Sequence, residues 1–265
     1  MSEISAAFER CRQERRAAFI PYLTAGDPDL ERSAELIGAL ASGGADVIEI
    51  GVPFSDPIAD GPTNQRAAGR ALAAGASLSG VLDLVARHRD RWGVPVVLFT
   101  YLNPPLKAGV KRFAERAQAS GVDGVLCVDL PPEEGEREWI PALRARDVDT
   151  VFLLAPTSDR ARLRAVNAAS SGFVYYVSRT GVTGAREELP RRLLKEAKRI
   201  RRRVSLPLAV GFGISTPEQA AAVGRVSDGV VVGSALVRLV EQDPSDPALA
   251  GRIEEACTRL AESLR

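Results

Sequence analysis

Asp46-Val47-Ile48-Glu49-Ile50, followed at once by Gly51-Val52-Pro53-Phe54-Ser55-Asp56-Pro57-Ile58-Ala59-Asp60-Gly61-Pro62, sets the reading of the chain. The first half is a short apolar run interrupted only by Glu49. That is the pattern of a parallel strand covered on both faces rather than a half-exposed one. The second half is dense in proline, glycine and carboxylates, the composition of a loop. Burying an unpaired carboxylate is costly or shifts its pKa, so Glu49 inside a strand is a candidate for chemistry. The competing reading is a strand end whose carboxylate reaches solvent.

Outward from this stretch the same unit recurs. Ahead of it, residues 1–16 read as an amphipathic helix with Ile4, Phe8 and Cys11 on one face. Residues 18–23 read as a strand closed by Ala25-Gly26-Asp27-Pro28, and 33–42 as a helix stopped by Gly43-Gly44. Beyond it, helices are predicted over 65–73 and 78–91. Strands at 94–100, 124–128, 150–154, 173–177, 208–210 and 229–232 then alternate with helices at 107–120, 133–146, 160–169, 189–203, 217–223 and 234–240. A last helix spans 248–264. About eight strand-then-helix units result, the number that closes a (β/α)8 or TIM barrel. The expectation is one α/β domain over residues 1–265 with an extra N-terminal helix. Gly44-Ala45-Asp46, Gly121-Val122-Asp123 and Val226-Ser227-Asp228 form a weak echo, each ending a helix and opening a strand. A doubly wound open sheet is the alternative, but Thr24-Ala25-Gly26-Asp27-Pro28 after the first strand lacks its glycine fingerprint.

Composition narrows the function. With 35 basic and 34 acidic residues the net charge is +1, which favours neither nucleic acid nor an anionic membrane. The three cysteines, Cys11, Cys127 and Cys257, are far apart, against a disulfide framework or zinc site and in keeping with a reducing cytoplasm. Residues 1–16 hold no apolar signal core, and no run approaches the roughly 18 apolar residues of a membrane span. A soluble cytoplasmic protein is expected.

In such a barrel the active site lies at the C-terminal ends of the strands. That face gathers Glu49, Asp56, Asp60, Tyr101, Asn103, Asp129, Tyr175, Ser178-Arg179-Thr180-Gly181-Val182-Thr183-Gly184, Gly211-Phe212-Gly213-Ile214-Ser215 and Gly233-Ser234. Gly213-Ile214 and Gly233-Ser234-Ala235 precede the last two barrel helices, where free N–H groups and the helix dipole favour an anion. A phosphorylated small molecule is the natural ligand; tight turns alone are the alternative. Glu49 in a strand and Asp60 in a loop would divide acid and base roles. Residues 178–188 resemble a lid in composition, a passive loop being the other reading. His88, the sole histidine, sits among Arg87, Arg89 and Arg91 and reads as solvated surface. Its isolation excludes histidine triads and most metal sites. Residues 199–203 read as a charged outer helix face, and Trp92 and Trp139 as packing residues.

These residues resemble the tryptophan synthase alpha subunit family. The resemblance is carried by Phe19 to Pro28, Glu49 to Pro62, Tyr175 to Gly184, Gly211 to Ser215 and Gly233 to Ala235, in order over nearly the whole chain. It implies a (β/α)8 barrel that cleaves indole-3-glycerol phosphate to indole and glyceraldehyde 3-phosphate, a retro-aldol step in tryptophan biosynthesis needing no metal or organic cofactor. By position it implies Glu49 as the acid/base carboxylate and Asp60 as the carboxylate on the indole N–H. It further implies a phosphate site at Gly184, Gly213, Gly233 and Ser234. Tyr22, Phe99, Tyr101, Leu126, Tyr175 and Phe212 would line the indole pocket, and Thr183 would tie the lid to Asp60. The partner implied is a pyridoxal-phosphate beta subunit in an α2β2 heterotetramer, contacted by segments holding Pro53, Asp56, Asn103 and Pro131. Two departures stand out: Tyr22 where Phe is frequent, and Asn64 for a commonly aliphatic residue, which bears on helix packing. A stand-alone lyase, a non-catalytic binding component and another phosphosugar barrel such as an isomerase are the alternatives.

Overall fold

The structure, a computed structural model, describes residues 1–177, 191–211 and 213–265. Its strands are β1 (Ala18–Thr24), β2 (Ile48–Gly51), β3 (Val96–Thr100), β4 (Gly124–Cys127), β5 (Asp149–Val151), β6 (Leu153–Leu154), β7 (Val174–Val177), β8 (Leu208–Gly211) and β9 (Gly229–Val232). They form one sheet in the order β5-β4-β3-β2-β1-β9-β8-β7-β6, with every pairing parallel. The two ends of that order, β5 and β6, are separated in sequence only by Phe152. The Phe152 carbonyl still accepts the Tyr175 N–H at 3.1 Å. The predicted strand at 150–154 is therefore one strand interrupted at a single residue, and the sheet closes into the eight-stranded barrel expected.

Around it lie α1 (Glu3–Gln13), α2 (Leu30–Ser42), α3 (Pro62–Ala73), α4 (Leu78–Trp92), α5 (Asn103–Ala108), α6 (Val110–Ala119), α7 (Pro132–Gly135), α8 (Trp139–Arg144), α9 (Arg160–Ala169), α10 (Arg191–Arg201), α11 (Pro217–Gly224), α12 (Ser234–Gln242) and α13 (Leu249–Glu262). Two predicted helices are split. The helix at 107–120 starts earlier and breaks at Gly109, whose φ of +87° is closed to a continuing helix. The helix at 133–146 becomes α7 and α8. Pro141, which has no N–H to donate to the preceding turn, falls in the first turn of α8, where none is needed. Trp139 is buried there against Phe113, with ring centroids 5.6 Å apart. Trp92 is likewise buried, with His88 stacked on it at 5.9 Å.

One end of the barrel is plugged. Ser2 caps α1 by accepting the Ser5 N–H and donates to the Asp149 carboxylate at 2.6 Å. Ile4 then fills the space over Gly124, where a Cβ would meet it at 2.7 Å. Phe8 packs on Phe173 with centroids 5.5 Å apart. This is the N-terminal end of the strands, so the extra helix leaves the opposite end for a site.

The sequence echo acquires a mechanism at the same end. Asp46 accepts the Phe19 N–H of β1 at 2.9 Å and two bonds from Arg16. Asp123 accepts the Val96 N–H of β3 at 2.7 Å and bonds from Arg89. Asp228 accepts the Leu208 N–H of β8 at 3.0 Å and pairs with Arg201. Each aspartate, just ahead of its own strand, thus pins the first turn of ladder on the neighbouring strand, and an arginine compensates its charge. No single helix among the described residues is long and apolar enough to cross a membrane. The pair α3 and α4 passes that test only jointly, across a bend of 91°, and buries Ala67, Ala68, Ala71, Val81, Leu82, Leu84, Val85 and Trp92 within the fold.

Candidate active site

The strand register brings the first carboxylate to the open end of the barrel. Glu49 pairs with Tyr22 on β1 and Val97 on β3, is 2% exposed, and its Oε1 has no hydrogen-bond partner. A buried orphan oxygen of this kind is unusual in a folded protein. Burial first, and the nearby Asp60 charge second, push its pKa up to about 8. The strand-end reading, in which this carboxylate reaches solvent, does not hold.

Asp60 arrives from the loop that runs into α3. Tyr101, the residue after β3, donates its hydroxyl to Asp60 Oδ2 at 2.9 Å and accepts the Ala59 N–H at 3.0 Å. Phe54 of the same loop stacks on Tyr101 at 5.1 Å. Asp60 Oδ1 is buried without a partner. Burial raises the Asp60 pKa to about 6, with the Tyr101 hydroxyl and then Asn64 pulling the other way. Near neutral pH the pair therefore holds a protonated Glu49 and an ionised Asp60.

Aromatic rings surround them by a device used twice. Tyr22 leans along β1 over Gly51 of β2, where a Cβ would lie 2.2 Å from its hydroxyl oxygen. Tyr175 leans along β7 over Gly211 of β8, where the distance would be 2.1 Å. In both cases the glycine pairs with the residue two positions beyond the tyrosine, Thr24 or Val177. Neither glycine has a positive φ; each is there for room. Tyr22 donates to or accepts from Thr24 Oγ1 at 3.1 Å and meets Phe99 edge-on at 5.6 Å. Phe99 in turn pairs with Leu126. Burial and the neighbouring Asp60 and Glu49 charges raise the Tyr22 pKa well above normal. Burial, Glu49, Tyr22 and Asp60 do the same for Tyr175, so both phenols stay neutral.

A family profile described as "Tryptophan synthase alpha chain" matches residues 8–265. The chain belongs to the tryptophan synthase alpha chain family. The alpha chain of Geobacter sulfurreducens is 52% identical over 242 residues, 91% of each protein. That of Solibacter usitatus is 49% identical over 260 residues, 98% of this chain and 97% of its own length. Among solved structures, Mycobacterium tuberculosis tryptophan synthase matches with a TM-score of 0.90 at 38% identity, covering 100% of this chain and 98% of that one. The Legionella pneumophila alpha chain matches at 0.89 and 34%, covering 100% and 97%.

Within this alpha chain the structure brings together Glu49, Asp60, Tyr22, Phe99, Tyr101, Leu126 and Tyr175. Thr183, Gly184, Phe212 and the predicted lid lie outside the described residues. Of the two glycine turns, the one at α12 is the more open. The N-terminus of α11 is capped by the Thr216 side chain, and the Ser215 N–H is taken by Gln219 Oε1 at 2.8 Å. The N-terminus of α12 has no side-chain cap at Gly233, whose carbonyl accepts the Leu236 and Val237 N–H groups at 2.8 and 3.1 Å. A Cβ at Gly233 would touch the Tyr22 ring at 3.1 Å. Gly213 has φ +82°, a backbone only glycine adopts freely.

Other expectations shift. Asp129 is occupied structurally: its carboxylate accepts the Leu102 N–H at 2.8 Å and the Cys127 thiol at 3.4 Å, joining the loops after β3 and β4. Asn64 belongs beside Asp60 rather than to helix packing alone. Pro53 is buried within the chain, Pro131 is half-buried, and Asp56 and Asn103 are exposed. Two apolar residues on the same segments, Ile58 at 86% and Leu106 at 54%, are exposed as well. Sequence reading passed over them, because one isoleucine among prolines carries no periodic signal.

Proposed function

We propose that this chain catalyses the alpha reaction of tryptophan synthase, the retro-aldol cleavage of indole-3-glycerol phosphate to indole and glyceraldehyde 3-phosphate. One observation carries the reading: two partnerless carboxylate oxygens at one end of the barrel, on groups whose pKa values are pushed to about 8 and about 6. Two carboxylates so separated form an acid and a base at one pH.

Protonated Glu49 delivers its proton to indole C3. The positive charge that develops on the ring nitrogen is stabilised by the Asp60 carboxylate, which accepts the N–H. The ring is then an electron sink. Glu49, now ionised, takes the proton from the glycerol hydroxyl next to the ring. As that carbon becomes an aldehyde, the bond to C3 breaks and its electron pair restores the indole. Glu49 ends as it began, and no water is consumed. Tyr22, Phe99, Leu126 and Tyr175 exclude solvent around the ring, with Phe212 and Thr183 assigned to the same pocket by resemblance. Gly213, Gly233, Ser234 and Gly184 hold the phosphate, and the uncapped α12 N-terminus supports that assignment.

The partner in this reading is a pyridoxal-phosphate beta subunit in an α2β2 complex. The exposed Ile58, in the loop that carries Asp60, and the exposed Leu106, in α5 just after Tyr101, support a docking surface at the mouth of the site. The test is quantification of indole and glyceraldehyde 3-phosphate from indole-3-glycerol phosphate, with and without a beta subunit. Equimolar products and strong activation by the partner are expected. Full activity of the chain alone points to the stand-alone lyase, and absence of both products overturns the reading.

A further inference from the structure

Asp60 and the α12 turn lie at the N-terminal ends of two neighbouring helices, α3 and α12, whose bodies are joined by one ion network. Arg66 and Arg70, a turn apart on α3, both reach Glu241 in the last turn of α12. Arg66 bonds both carboxylate oxygens, Nη2 to Oε2 at 2.9 Å, while Arg70 Nη1 donates to Oε1 at 3.2 Å. Arg70 also grips Asp27 through two bonds of 2.8 Å. Asp27 is buried in the loop after β1. The same loop is pressed at Gly26 onto α3 and the turn after it, where a Cβ would lie 3.2 Å from Ala71 Cβ and 2.4 Å from Ala76 Cβ.

The apolar side chains that α3 buries are small. Its buried residues are three alanines, Ala67, Ala68 and Ala71, and its N-cap Gly61 makes no side-chain cap. Alanines bury little apolar area each, so directional bonds carry a larger share of the placement of this helix. Arg66 and Arg70 supply such bonds to Glu241. We propose that Arg70 and Glu241 are positioning residues, and that the Asp27–Arg70–Glu241–Arg66 network sets the span between the Asp60 carboxylate and the anion-binding turn at Gly233-Ser234. The proposal rests on the function proposed above, in which a single substrate must meet Asp60 at its indole end and the turn at its phosphate end. A misplacement of about 1 Å between such anchors costs on the order of 100-fold in rate.

Glu241→Gln and Arg66→Gln test this without stripping Asp27 of its compensating charge. Each variant is expected to lower kcat for indole-3-glycerol phosphate about tenfold, with the inhibition constant of inorganic phosphate changed less than about twofold. In the double variant the effects should not add. Amide hydrogen exchange supplies a readout independent of turnover. In the wild type, inorganic phosphate should slow exchange at residues 233–238 and also at 58–66; in Glu241→Gln only the first protection should remain. Unchanged kcat in both variants, or phosphate protection absent from either segment of the wild type, overturns the proposal. If both segments are protected but indole-3-glycerol phosphate is not cleaved, the network stands and the proposed reaction fails.

Discussion

At the scale of single residues, the account turns on how the barrel divides two carboxylates. The proposed mechanism needs Glu49 protonated and Asp60 ionised, so kcat/KM should rise through about pH 6 and fall through about pH 8. The two values belong to a coupled pair. Asp60→Asn removes the charge that helps raise Glu49, so in whatever activity remains the alkaline limb should move to lower pH. Tyr101→Phe acts on the other limb. It deletes the donor that holds the Asp60 pKa down, so the acid limb should move to higher pH, with turnover reduced about tenfold. Stability obeys the same logic. The folded Glu49 pKa lies above its unfolded value, so folding binds a proton there, and stability falls as pH rises from the unfolded value toward about 8. Glu49 was legible in sequence because a carboxylate inside an apolar strand is an anomaly. The Tyr101–Asp60 bond was not, since residues 41 apart in sequence meet only once the barrel closes.

At the scale of elements, glycines separate into those that make room and those that do not. Gly211→Ala would drive a Cβ into the Tyr175 ring and should collapse kcat/KM, measured beside the melting temperature to show that the barrel persists. Gly69, inside α3 with nothing within 4 Å of an added Cβ, is the contrast. Gly69→Ala should raise unfolding stability by about 0.5–1 kcal/mol in a urea titration. Sequence spacing gave the strands nearly residue by residue, because short apolar runs bounded by turns leave few alternatives. It missed the split of α5 from α6, since a single glycine inside a helical pattern does not reveal the sign of its φ. It also could not anticipate that Gly51 and Gly211 serve tyrosines on the preceding strands of the sheet.

At the scale of the whole molecule, the two ends of the barrel do different work. One is plugged by α1 and pinned by Asp46, Asp123 and Asp228; the other carries the orphan carboxylate oxygens. Asp123→Ala should therefore lower unfolding stability by about 3 kcal/mol, since it strands the Arg89 charge and the Val96 N–H, while kcat at saturating substrate stays near wild type. The count of strand-helix units announced this architecture, and the aspartate echo marked its pinned end before any contact was visible. The site needed closure of the chain, which brings Tyr22, Glu49, Asp60, Tyr101 and Tyr175 to one end of the barrel. The most direct test of the central claim is indole release from indole-3-glycerol phosphate by wild type and Glu49→Gln, side by side, with the beta subunit present. The account predicts release by the wild type and none above background by a variant that remains folded; comparable release by both would contradict it.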